Sequence, residues 1–157
     1  MKNQFEILIL LGRPASGKSE VRRYIEHPAS DVRERDFLMG PTVQLDDYPY
    51  VHMMRRIDDE LTGLGVERVY FLDANRPFRD PFHWGTLIEL LNEDHADLVA
   101  KNVVAPESTA RLLLERMTAA AKRCGAAPLL ERIDAATAEK LIAILEKECR
   151  EMLAEKH

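Results

Sequence analysis

The chain contains no long hydrophobic run: its longest apolar stretch is Ile7 to Leu11, far short of the roughly 20 apolar residues a membrane-spanning helix needs. Membrane insertion by a helix is excluded on that ground. Cysteine is scarce. Cys124 and Cys149 lie in helix-like segments without a CxxC pair, so reduced thiols are expected rather than a disulfide framework. The histidines (His27, His52, His83, His95 and His157) are scattered and none belongs to an HExxH, which leaves no zinc signature. There is no excess of positive charge. With 22 Lys and Arg against 27 Asp and Glu, the formal charge is −5, which argues against a surface built to neutralise nucleic-acid phosphates. The amino-terminal residues go straight into a short strand-like run, without the apolar region and small-residue cleavage site of a secretory signal, so a cytoplasmic protein is expected. No internal repeat or low-complexity linker is visible.

What is present describes an ordinary globular chain. At 157 residues, 46% hydrophobic and 31% charged, it has the length of one domain, or of one domain with a tail. A fold of this size buries roughly 70% of the surface its unfolded chain exposes, so a core needs no metal or disulfide.

The pattern changes along the chain. Phe5 to Leu11 is nearly all apolar, as for a parallel strand buried on both faces, and stops at Gly12. Ser19 to His27 reads as a helix ended by Pro28. After a polar stretch and the Gly40-Pro41 break, Thr42 to Leu45 reads as a second strand. Tyr50 to Leu61 reads as a helix, with Val51, Met54, Ile57 and Leu61 three and four residues apart. Val66 to Leu72 reads as a third strand. This alternation predicts parallel pairing with right-handed crossovers. The second half reads as helices at Trp84 to Leu98, Glu107 to Cys124 and Ala135 to Ala154, with Thr137-Ala-Glu-Lys as a start signal for the last. Three strands are fewer than the five or so of a complete open sheet. Residues 1–100 are therefore expected to form an α/β core, and 101–157 a helical segment of the same domain or a tail.

One loop carries explicit chemistry. Gly12-Arg13-Pro14-Ala15-Ser16-Gly17-Lys18-Ser19 matches GxxxxGK[ST] at every fixed position, after an expected strand and before an expected helix. Gly12 and Gly17 let the backbone curl. The N–H groups of Arg13, Ala15, Ser16 and Gly17 can then line an anion nest at the positive end of the helix, while Pro14 has no N–H to give. Lys18 can reach β and γ phosphates and neutralise charge during phosphoryl transfer, and the Ser19 hydroxyl can ligate Mg²⁺.

With these residues, at 5–27 and more weakly at 42–80, the chain resembles the P-loop NTPases, and among them the small nucleoside, nucleotide and metabolite kinases. The resemblance implies a three-layer α/β/α domain with a parallel sheet, incomplete in this chain, that binds Mg-ATP or another nucleoside triphosphate. It also implies γ-phosphoryl transfer to an acceptor it does not identify. Leu45-Asp46-Asp47-Tyr48-Pro49, at the expected ligand edge of the sheet, resembles the acidic position of uridine-kinase-like enzymes. By that likeness Asp46 is first choice as base or metal-bridging group and Asp47 second; a solvated Asp-Asp-Tyr-Pro turn is the other reading. Val69-Tyr70-Phe71-Leu72-Asp73 has the form of a Walker B segment, whose Asp73 would hold Mg²⁺ directly or through water; a turn aspartate at a strand end looks the same. Arg68, Arg76 and Arg79 stand close by in sequence, and Arg76 and Arg79 are candidates to clamp phosphate.

Other features read as structure. Phe82 and Trp84, beside His83, suit a core or a hydrophobic staple better than a base-stacking platform. Met53 and Met54 suit packing, and Arg55-Arg56 with Asp58-Asp59-Glu60 a solvated helix face. The stripe Leu141, Ile144, Leu145 and Cys149 can pack on the domain or on another copy, giving a homo-oligomer through the C-terminal helices. The expected function is a kinase of a small molecule or nucleotide using Lys18, Ser19 and Asp46. The alternatives are a nucleotide-dependent switch whose helical half serves a protein partner, and a catalytically incomplete part of a larger kinase-like protein. No nucleic-acid or membrane partner is expected.

Overall fold

A computed structural model describes residues 5, 7–10, 16–102 and 106–155. The chain falls into two compact units, Met1–Gln44 and Leu45–His157.

The first unit holds two short helices, α1 (Lys18–Glu26) and α2 (Ser30–Asp36). The first is the helix expected before Pro28. The second occupies the stretch read as merely polar. It starts two residues after that proline, with Asp31 in its first turn and Arg33 and Arg35 in its last, which complements the helix dipole. Neither helix buries a residue; their contacts are ion pairs such as Arg23–Glu20 at 3.0 Å and an edge-on approach of Tyr24 to Phe37. Phe5 and 7–10 form no strand. The Phe5 N–H donates to the Leu38 carbonyl at 3.0 Å, but Phe5, Ile7, Leu8, Ile9 and Leu10 are all exposed. Residues 42–45 likewise form no strand, and Val43 is exposed.

In the second unit, apolar periodicity and helix agree. Helix α3 (Tyr48–Gly63) carries Pro49 in its first turn, where the missing N–H costs nothing, and buries Tyr50, Met53, Met54, Ile57 and Leu61 on one face. Helix α4 (His83–Ala100) buries Leu87 and Leu90. The central helix α5 (Thr109–Cys124) packs on α4 and on α6 (Ala135–Glu155), and α3 also packs on α6. The core closes with Leu113, Leu114 and Met117 of α5, Leu129 of a short 3-10 turn, and Leu141, Leu145 and Cys149 of α6. Each such side chain contributes about 1.5–3 kcal/mol by leaving water. The helix ends are specified locally. Ser108 accepts the Arg111 N–H at 3.1 Å, Gly125 ends α5 at φ 76, and Asp134, not the Thr137 of the sequence signal, caps α6 by accepting the Thr137 N–H at 2.8 Å.

The expected α/β fold is overturned. Among the described residues the protein is all-α, with six α-helices and no sheet. The third expected strand gives the physical reason. Val69, Tyr70 and Phe71 are buried as a strand's would be, but their N–H groups are taken by a side chain: Asp58 of α3 accepts from Val69 at 2.7 Å, Tyr70 at 3.1 and 3.2 Å, and Phe71 at 2.7 Å. The segment then folds back on itself, with the isolated antiparallel bridge Phe71–Phe78 and an Arg79 N–H to Tyr70 carbonyl bond of 2.8 Å. No amide donors remain at these three residues for a parallel neighbour.

Candidate functional site

Of the glycine-flanked loop, Gly12, Arg13, Pro14 and Ala15 lie outside the described residues. From Ser16 onward the chain turns into α1. Gly17 sits at its N-cap with φ 84 and ψ 13, and its carbonyl accepts the N–H groups of Glu20 and Val21 at 3.0 and 3.1 Å. A Cβ at Gly17 would meet nothing within 4 Å. The glycine is therefore required for its left-handed backbone and not for space. Lys18 is the first residue of the helix and half-exposed; Ser16 and Ser19 are exposed.

The remaining expected site residues belong to the second unit, where Asp46 and Asp47 are both exposed. The Asp46 carboxylate accepts the Tyr48 N–H at 2.9 Å and the Asp47 carbonyl accepts the Val51 N–H at 3.0 Å, so both shape the start of α3. Asp73 stands at the exposed tip of the 71–78 hairpin, accepts the Asn75 N–H at 2.9 Å and pairs with Arg76 at 3.5 Å. Arg79 donates to the Arg68 carbonyl at 3.0 Å and faces Glu67 at 3.3 Å. Arg68 pairs with Asp59 at 2.6 Å. Thus Asp73 and Arg76 are brought together, whereas Arg79 serves the base of the hairpin. No group of three His, Cys, Asp or Glu among the described residues could hold a metal ion. The Asp46 and Asp73 carboxylates each accept a local turn N–H.

The strongest polar arrangements are ones that sequence reasoning passed over. Asp58, read as part of a solvated face, is fully buried. Its only sequence signal was position, one residue after the core residue Ile57 and one turn before Leu61. His83 is also fully buried. Its Nδ1 is 3.2 Å from the Thr86 hydroxyl, which lies 3.3 Å from the Cys124 thiol. Its Nε2 has no partner among the described residues, and Tyr70 meets the ring edge-on at 4.9 Å. Burial lowers its pKa, which favours the neutral ring. The Tyr50 hydroxyl donates to both Asp94 oxygens at 2.7 and 2.8 Å, and burial raises its phenol pKa. Arg116 braces Glu93 at 2.7 Å and Asp94 at 3.4 Å. Glu148 of α6 joins His52 at 2.7 Å and Arg56 at 3.1 Å, tying α6 to α3. Burial pushes the Cys149 thiol up to about 12, and both thiols are free, as expected.

Two of the concavities in this unit border α5. One of about 260 Å³ lies between α5 and α6 beneath the Arg111–Glu139 pair; one of about 330 Å³ is lined by Glu93, Ala96, Asp97, Leu112 and Arg116. Asp46, Asp47, Asp73, Arg76 and Arg79 line neither.

No protein-family model, curated protein or solved structure matches the chain. Together with the all-helical architecture, this overturns the resemblance to the P-loop NTPases. The eight-residue motif stands in the sequence, but the strand before it and the sheet that defines that fold are absent from the described residues. As for the membrane, no described helix is long and apolar enough to cross one.

Proposed function

We propose that the segment Gly12–Ser19 binds the polyphosphate of Mg-ATP and that the chain uses it to phosphorylate a small molecule or nucleotide. The observation that carries this reading is the spacing Gly12-x4-Gly17-Lys18-Ser19 at the opening of α1. A left-handed glycine followed by the first turn of a helix presents successive N–H groups to an anion, and Lys18 adds a full positive charge on a flexible stem beside them. Mg²⁺ enters with the nucleotide as part of the substrate. In the transfer, the acceptor oxygen attacks the γ-phosphorus, the bond to the ADP oxygen breaks, and the acceptor proton passes to a base or to water. Lys18 and the amide groups neutralise the charge on the phosphate oxygens.

The reading is tested by calorimetric titration of the full chain with Mg-ATP, beside Lys18→Ala. Binding in the parent that weakens at least tenfold in the variant supports it and justifies an acceptor screen for ADP release. No binding by the parent, or equal binding by both, overturns it.

A further inference from the structure

Helix α4 is apolar on two sides: Leu87 and Leu90 are buried in the core, and a second apolar stripe is exposed. All four of its carboxylates lie toward α5: Glu89 meets Arg123 at 2.7 Å, Glu93 meets Arg116 at 2.7 Å, and Asp94 and Asp97 each meet Arg116 at 3.4 Å. The outward stripe, at spacings of three and four, is Trp84, Ile88, Leu91, His95, Leu98 and Val99. Trp84 is 60% exposed, Ile88 59%, Leu98 40% and Val99 70%; Leu91 is half-buried and His95 exposed. A solvated helix normally shows water its charges and hides its apolar side. This one spends its charges on its neighbour and shows water an apolar strip about four turns long.

We infer that this face of α4 is the contact between two copies of the chain, packed antiparallel about a two-fold axis passing near Leu91 and Asn92. The stripe is self-complementary about that point. Reversal sets the bulky Trp84 against the smaller Leu98 and Val99 of the second copy, Ile88 against His95, and Leu91 near its own counterpart. No carboxylate or ammonium group lies within it, so two copies meet without like-charge repulsion. Antiparallel helices also place opposite dipole ends together. The exposed part of the stripe amounts to on the order of 500 Å² per copy. A pair would bury roughly 1,000 Å², the lower bound of a specific interface, so a reversible dimer is expected. The contact belongs to α4 and not to α6, whose described side chains include one exposed large apolar residue, Ile144. It is independent of nucleotide binding.

Sedimentation equilibrium of the full chain over a wide concentration range tests the inference. The parent should pass from its 18.0 kDa monomer mass toward twice that value. Ile88→Glu and Val99→Glu, both at exposed positions, should each raise the dimer dissociation constant at least about tenfold, with helical circular dichroism unchanged. Leu91→Cys should cross-link to itself on mild oxidation faster than the parent, whose half-exposed Cys124 sets the background. A parent at monomer mass throughout would hand the face to a different partner and overturn the inference. So would a dimer that neither glutamate substitution weakens.

Discussion

Replacing Asp58 should be the most damaging single polar change in the helical unit. The carboxylate is fully buried and accepts four hydrogen-bond contacts from three consecutive backbone donors, the shortest at 2.7 Å to Val69 and Phe71. Asp58→Ala removes every one of those acceptors. Each buried N–H left unpaired costs about 1–3 kcal/mol, so three of them come to about 3–6 kcal/mol, allowing for some water entering the vacated space. Asp58→Asn keeps the shape and one acceptor oxygen but turns an NH₂ group toward amide donors, and should cost about 2–3 kcal/mol. The neighbouring Asp59→Asn is the control. It breaks the Arg68 pair at a carboxylate that is half exposed, worth less than about 1 kcal/mol. Against a total stability of about 5–15 kcal/mol for a domain, the alanine variant should be close to unfolded, and the three variants should rank Ala, Asn, then the Asp59 control. Urea unfolding followed by far-ultraviolet circular dichroism gives the three differences, at a slope of about 1–3 kcal/mol per molar urea. Amide exchange at Val69, Tyr70 and Phe71 shows whether loss begins at the hairpin. An Asp58→Asn protein within about 0.5 kcal/mol of the parent would refute the assignment of Asp58 as the acceptor that organises this segment.

Two further outcomes follow from the same structure. Glu146 of α6 accepts the Ser108 hydroxyl at 2.7 Å and the Ala110 and Thr109 N–H groups at 3.0 and 3.1 Å, and these donors, the Ser108 hydroxyl first, hold its pKa down at about 2 against an ordinary 4.5. Its contribution is therefore complete above the ordinary range and is lost as pH falls toward about 2. The stability gap between the parent and Glu146→Gln, measured by denaturant titration, should be flat above pH 4.5 and close below it; a gap independent of pH would count against the anchor. Gly85→Ala would place a methyl 2.9 Å from the Cys124 Cβ and should cost about 1–3 kcal/mol by forcing α4 and α5 apart. Trimming the thiol with Cys124→Ala should not restore stability, because the close atom is the Cβ itself; full recovery would show that the sulfur sets the spacing.

Local chemistry was legible in the sequence. The spacing of Met54, Ile57 and Leu61 marked α3, the break at Pro28 marked the end of α1, and the three long helices after α3 were also placed within a few residues of their bounds. Periodicity works there because a helix satisfies its own backbone and needs from the rest of the chain only a surface to cover its apolar stripe. The Gly17-Lys18 turn was legible for the same reason, since a left-handed residue before a helix is a local demand that glycine meets.

Strands were not legible, because a strand is half of an interaction. Phe5 and 7–10, 42–45 and 66–72 have the composition of buried strands, but strand identity needs a neighbour to take the N–H and carbonyl groups, and no run of apolar letters states whether one arrives. At 69–71 the tertiary structure supplied a carboxylate from α3 instead, and with it decided between an α/β sheet and a helical fold. The same limit hid Asp58, His83 and Glu146. Asp58 and Glu146 matter through donors 11 or more residues along the chain, which only packing brings within hydrogen-bond distance, and His83 through its burial. The sequence by itself determined where the four long helices run and which of their positions are apolar. Tertiary structure alone decided which acceptors met the buried amides, and so which fold those apolar runs could enter.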